Sequence, residues 1–272
     1  MSKEYNYNAQ YRSEVSKFTK KDAIIALCFY AFYILAGIAL GIYRRFFEQT
    51  LLVSILFGVL VVGVCFLIVF VRKEGLASLG IRRKNLWPSL RLGLLFGPIP
   101  LIIYSFTLHL VFGWEFRPIV PILISVLNIL MFAVGEDILF VGYIQTRMYG
   151  LIKKDIWAIC VVALLFTLMH FPILIVQHGA GVLAAIGGFS GGLIWFVSLF
   201  IAHVVFNAVF RRYAVLFPTV MLHTVNNVSS NGSVWVVQPP FWVVTLYFSI
   251  IALALIVWTL WLRRRDKKSI AV

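Results

Sequence analysis

The chain has 272 residues, of which 62% are hydrophobic and only 12% charged, and its mean hydropathy is +0.97; a soluble domain is about one quarter charged. That composition excludes an ordinary water-soluble fold and leaves a protein whose main solvent is lipid. The net charge of +14 could suggest a nucleic-acid partner, but the basic residues punctuate apolar runs instead of clustering on one soluble face, so no nucleic acid is expected.

Residues 1–22 are polar and basic, carrying Lys3, Arg12, Lys17, Lys20 and Lys21, and read as a cytoplasmic N-terminal segment. The apolar run that follows is too long for a signal-peptide core and is expected to stay as an uncleaved span. Apolar stretches of about 20 residues, the length a helix needs to cross the hydrocarbon, then recur near 23–43, 50–71, 91–113, 119–147, 156–176, 183–210, 213–229 and 240–262. Lipid offers the backbone no hydrogen bonds, so these runs predict an all-α polytopic integral membrane protein of about eight transmembrane helices, with any site in the bundle core. The expected organisation is one transmembrane domain over 23–262, a catalytic core at about 119–229 and a basic cytoplasmic tail over 263–272. Trp87, Trp114, Trp157, Trp242 and Trp261 fall near predicted span ends, where indoles prefer to sit.

Every second loop is basic: Arg72, Lys73, Arg82, Arg83, Lys84 and Arg91 after span two, Lys153 and Lys154 after span four, and Arg211 and Arg212 after span six. The alternate loops carry little charge. This asymmetry places both termini in the cytoplasm of a cell-membrane protein. Cys28, Cys65 and Cys160 all lie within apolar runs, where a free thiol behaves as a small hydrophobe, so no disulfide framework is expected.

An ionisable side chain inside a span costs at least a few kcal/mol and marks a functional site by default. Span four carries Glu136 and Asp137, span five His170 in Phe166-Thr-Leu-Met-His170, span six His203 and Asn207, and span seven His223, Asn226 and Asn227. Counted from the cytoplasmic ends at ~1.5 Å per residue, Glu136 and His170 lie about 21 Å deep, His223 about 15 Å and His203 about 10 Å. Asn227 follows His223 by one turn on the same helix face. A carboxylate and an imidazole held together in a pocket of low dielectric can activate a water. A second imidazole and a carboxamide can donate to the oxyanion that forms when that water attacks an amide. Such a set suffices for peptide-bond hydrolysis within the membrane.

The acidic pair in one span, Phe-x-x-x-His in the next and His-x-x-x-Asn near the end resemble the CPBP family, the CAAX proteases and bacteriocin-processing enzymes. The likeness runs from about Gly135 to Asn227, and Leu79-Gly-Ile-Arg-Arg83 upstream is similar to its bacterial members. The resemblance implies an intramembrane endopeptidase acting on a membrane-associated peptide or protein. In it Glu136 is the catalytic glutamate, His170 its partner in activating water, and His223 with Asn227 the oxyanion pair. The family pattern has a second glutamate and, four residues further on, an arginine followed by glycine; here the second acid is Asp137, in a supporting role, and Val141 precedes Gly142. Arg147 lies about three turns from Glu136, too far to stand in at that position.

No cofactor is required by this reading. Zinc held by Glu136, His170 and His223 is an alternative, since two imidazoles and a carboxylate form a hydrolytic ligand set. The missing arginine motivates another reading, a non-catalytic protein of the same fold that confers immunity to a peptide toxin or scaffolds a partner; a proton or solute transporter is a third. Gly188-Phe-Ser-Gly191 resembles a rhomboid serine motif, but Ser190 lies near the outer end of its span, far from the layer of His223. His203 and Asn207 are expected to be structural or pocket-lining, and His109 and His178 to have no part in the site.

Overall fold

The computed structural model describes residues 7–47, 51–83, 86–178, 188–230 and 234, with 249–250, 253–254, 257–258 and 261 near the C-terminus. The expected span over 240–262 and the first residues of the span expected from 183 fall largely outside these. The regular elements described are helices: α1 (Tyr7–Val15), α2 (Lys20–Phe46), α3 (Leu51–Val71), a 3₁₀ turn at Leu76–Leu79, α4 (Leu86–Phe96), α5 (Pro98–Phe112), α6 (Ile119–Asp137), a π-helical turn at Ile138–Ile144, α7 (Gln145–Met148), α8 (Asp155–His178), α9 (Gly188–Tyr213) and α10 (Phe217–Ser230).

Lys20–Tyr43, Leu86–Phe112, Ile119–Met148, Asp155–Ile173 and Phe196–Tyr213 are long and apolar enough to cross a bilayer, and Ile55–Val71 is a shorter apolar helix. Their outward faces carry bare hydrocarbon: Phe70 is 80% and Leu110 79% exposed, an arrangement suited to lipid. The protein is an all-α polytopic membrane protein.

Two spans differ from expectation. The third starts at Leu86, so Arg91 lies within α4, exposed where its long stem can carry the charge toward the interface. It breaks at Gly97 before Pro98, whose ring suits the first turn of α5. The seventh is shorter than a span. The chain leaves α9 at Ala214, which has a φ of 53°, and α10 has 14 residues, about 21 Å of helix.

The core lies where α2, α3, α6, the π turn and α8 meet, around Tyr33, Phe140, Tyr143 and Phe166. The rings of Phe140 and Phe166 meet edge to face at 5.1 Å, and Phe140 meets Tyr33 in the same way at 5.7 Å. The polar N-terminal segment takes part in this core, because α1 buries Tyr11 and Val15 against it.

At one end of the bundle, ion pairs tie the helix ends together. Arg72 pairs with Asp22 and with Glu74, Arg147 with Glu74, and Arg211 with Asp155. Arg147 is 1% exposed. Its guanidinium also donates to the Ser78 carbonyl and hydroxyl at 3.3 and 3.0 Å, and lies over the Phe18 and Tyr143 rings at 4.5 and 4.2 Å. Arg147 thus faces Glu74 and away from the acidic pair. Beyond the spans at this end, burial raises the Tyr11 and Tyr149 hydroxyls above the usual phenol range, while the hydrogen bond to Glu74 raises the Arg72 guanidinium.

The π turn follows Asp137 directly. The Gln145 amide donates to the Phe140 carbonyl, five residues back, and so wide a turn leaves carbonyls without their usual partners. Thr146 Oγ1 donates to the Gly142 and Tyr143 carbonyls at 2.7 and 3.0 Å, and Arg147 adds a longer bond of 3.4 Å to each. Gly142 is required by close approach: a Cβ there would lie 2.7 Å from the Leu79 carbonyl oxygen.

Candidate active site

Glu136 and Asp137 end α6, about 100° apart around its axis, and face different depths of the interior. Asp137 is fully buried, whereas Glu136 is partly accessible. The Tyr33 hydroxyl, from α2, donates to Glu136 Oε1 at 2.9 Å, and His223 Nε2, from α10, stands 3.5 Å from Glu136 Oε2. On its other side the same imidazole donates from Nδ1 to Asp137 Oδ1 at 3.0 Å. A carboxylate can only accept, which assigns that proton to Nδ1. The two acids therefore bracket one histidine.

His170, on α8, donates from Nδ1 to the Phe166 carbonyl at 2.9 Å, one turn back. That bond leaves Nε2 as the ring's acceptor. His170 is partly accessible, and its ring and that of His223 both pack on Phe166, at 4.7 and 5.8 Å between centroids. Pro172, two residues on, lacks the amide that would bond the Leu168 carbonyl, so α8 is loosened beside this histidine. Asn227 lies one turn beyond His223 on α10, also partly accessible, and accepts at Oδ1 from Asn226 Nδ2 at 3.4 Å. Glu136, His170 and Asn227 are thus accessible in part, with His223 and Asp137 buried behind them.

Of the residues singled out in the sequence, Glu136 and Asp137 both contact His223, and His170 packs on the same Phe166 ring as His223. Asn227 is placed by its helix. Two further residues join. Tyr33 is an unremarked tyrosine of an apolar span, with no motif around it. His203 was counted too shallow: α9 runs to Tyr213, three residues beyond the expected end at 210, which adds about 4.5 Å of depth. Its ring centroid is 5.5 Å from that of His223, and it stacks on Phe166. Val141 is fully buried in the apolar core, and Asp137 pairs with His223.

Ser190 is in the first turn of α9, thirteen positions before His203, or ~20 Å along the helix. His109 Nδ1 bonds the Trp114 carbonyl at 2.8 Å at the end of α5. The side chain of His178 falls outside the described residues. The zinc set considered from sequence, Glu136, His170 and His223, is not the one whose ligand atoms draw together; among the described residues those of Asp137, His203 and His223 lie within 4.8 Å of one another.

In this helical membrane bundle, two acids and a histidine converge at the core, with His203 close by. Residues 118–229 match the family model Rce1-like, described as type II CAAX prenyl endopeptidase Rce1-like, a match that agrees with the resemblance of the motifs to the CPBP or CAAX protease family. Searches of the curated proteins and of the solved structures gave no match. The matched segment contains Glu136, Asp137, His170, His203, His223 and Asn227; Tyr33 lies outside it.

Proposed function

We propose that this protein is an intramembrane endopeptidase that hydrolyses a peptide bond of a membrane-associated peptide or protein in the cytoplasmic half of the bilayer. The observation that carries the reading is Glu136, partly accessible and bracketed by Tyr33 and His223, inside a segment matching a CAAX endopeptidase family. Glu136 and His170 activate a water between them. Its oxygen attacks the amide carbonyl carbon, its proton passes to Glu136, and Glu136 returns a proton to the leaving amine nitrogen as the C–N bond breaks. His223 and Asn227 donate to the oxyanion. With Nδ1–H held by Asp137, His223 donates from Nε2 as the doubly protonated ring. Asp137 fixes that ring's orientation, as a buried carboxylate does behind other catalytic histidines.

The family name suggests a prenylated C-terminal peptide as substrate; pheromone precursors and bacteriocin leaders fit the same chemistry. The alternating basic loops support cytoplasmic termini, and the ion pairs joining the starts of α2 and α8 to the ends of α3 and α9 support a shared side for those loops. The test is cleavage in proteoliposomes of farnesylated and unmodified peptides, comparing the parent with Glu136→Ala and His170→Ala. Both variants are expected to lose at least 100-fold in kcat; activity equal to the parent in both would overturn the assignment. If Glu136→Ala kept a toxin-protection phenotype that deletion of the chain abolished, the non-catalytic binding role would stand in its place.

A further inference from the structure

His203 has no task in the hydrolytic reading. It is 1% exposed, and neither of its ring nitrogens has a hydrogen-bond partner. Its surroundings are aromatic, with Phe166 stacked on one face and Phe206 at 5.2 Å between centroids. Asn207, one turn on along α9 and fully buried, likewise has neither carboxamide atom bonded. A buried polar group left without a partner is destabilising, so two on one helix face call for an occupant. The direction of that occupant is given by the ligand atoms of Asp137, His203 and His223, which lie within 4.8 Å of one another.

We infer that Asp137, His203 and His223 form a binding site for a zinc-class divalent transition-metal ion, and that its occupation switches the peptidase off. Two imidazoles with one carboxylate suit zinc and cobalt, whereas calcium and magnesium call for oxygen ligands. In a tetrahedral zinc site, bonds of about 2.0–2.1 Å put neighbouring ligand atoms roughly 3.4 Å apart, so no pair here has more than about 1.4 Å to close. A metal held this way takes the His223 ring, which donates to the oxyanion in the proposed reaction, and the Asp137 carboxylate that orients it. It leaves Glu136 and His170 outside the ligand set. The metal site stands on geometry alone; its inhibitory effect rests on the hydrolytic reading above.

The full-length protein, purified in detergent, stripped by chelator and dialysed, is titrated with Co²⁺ and followed by visible ligand-field absorption, then competed with Zn²⁺. The parent is expected to bind one equivalent. His203→Ala and the more conservative His203→Gln should each weaken binding at least tenfold, while His170→Ala binds as the parent does. In the cleavage assay, Zn²⁺ should inhibit the parent reversibly and leave His203→Gln resistant. No stoichiometric cobalt absorption in the parent, or parent-like binding by a folded His203→Gln, would overturn the site. Loss of binding in His170→Ala equal to that in His203→Gln would move the metal to another ligand set and overturn it too. Metal binding that follows this pattern in a protein that cleaves nothing would support the site and defeat the hydrolytic reading separately.

Discussion

Asp137→Asn separates positioning from bulk structure in the proposed mechanism. The substitution keeps the size of a fully buried side chain but removes the charge that accepts the 3.0 Å bond from His223 Nδ1. A hydrogen bond with a charged partner contributes about 1.5–3 kcal/mol. If that contribution is felt when His223 donates to the oxyanion, kcat should fall by about 10- to 150-fold at 1.36 kcal/mol per decade. KM should change less than about threefold, because Asp137 does not touch the substrate in this scheme. The assay is steady-state cleavage of a fluorogenic membrane-anchored peptide in proteoliposomes, with the melting temperature followed by tryptophan fluorescence. An Asp137→Asn protein with parent-like melting and a kcat within twofold of the parent would refute the claim that this carboxylate positions His223. A fall in melting temperature with no separate change in kcat per folded molecule would make its role purely structural.

Tyr33→Phe removes the 2.9 Å hydroxyl bond to Glu136 Oε1 and little volume; a fall in kcat of about 2- to 12-fold is expected from the 0.5–1.5 kcal/mol of such a bond, read in the same cleavage assay. Glu74→Ala strands the buried Arg147 guanidinium without its carboxylate and should destabilise by about 3–5 kcal/mol, visible as a large drop in the thermal or denaturant midpoint. Gly142→Ala drives a methyl against the Leu79 carbonyl and should cost about 1–3 kcal/mol through overpacking, with Gly142→Ser no better by the same measurement.

The membrane class was legible from hydropathy because lipid imposes its length scale on every span. The chemistry was legible for a related reason: an acid or imidazole within such a span stands out against its neighbours, as Glu136, Asp137, His170 and His223 do. What sequence lacked was lateral information. Nothing in an apolar run distinguishes Tyr33 from other tyrosines, since its importance arises only where α2 crosses α6. Depth counted from loop to loop presumes level helix ends. The extension of α9 to Tyr213 is enough to bring His203 into the layer of His223. The pairing of Asp137 with His223 could not be read at all, because the family pattern directs attention to the arginine position that Val141 fills.

The π-helical turn carries a consequence for rotation along the chain. An α-helix running unbroken from Ile119 to Met148 would fix the angle between the acidic pair and Arg147 at 100° per residue. The wider turn at Ile138–Ile144 takes up roughly one extra residue and resets that phase. The acids can then look inward to Tyr33 and His223 while Arg147, ten positions later, looks to Glu74 and Ser78 at the end of the bundle. Deleting one residue from the turn would return it to α geometry and swing one group off its partners by about 100°. The bulge is thus a coupling between two alignments, and a sequence of the same composition but one residue shorter could satisfy the reactive layer or the charged end, not both.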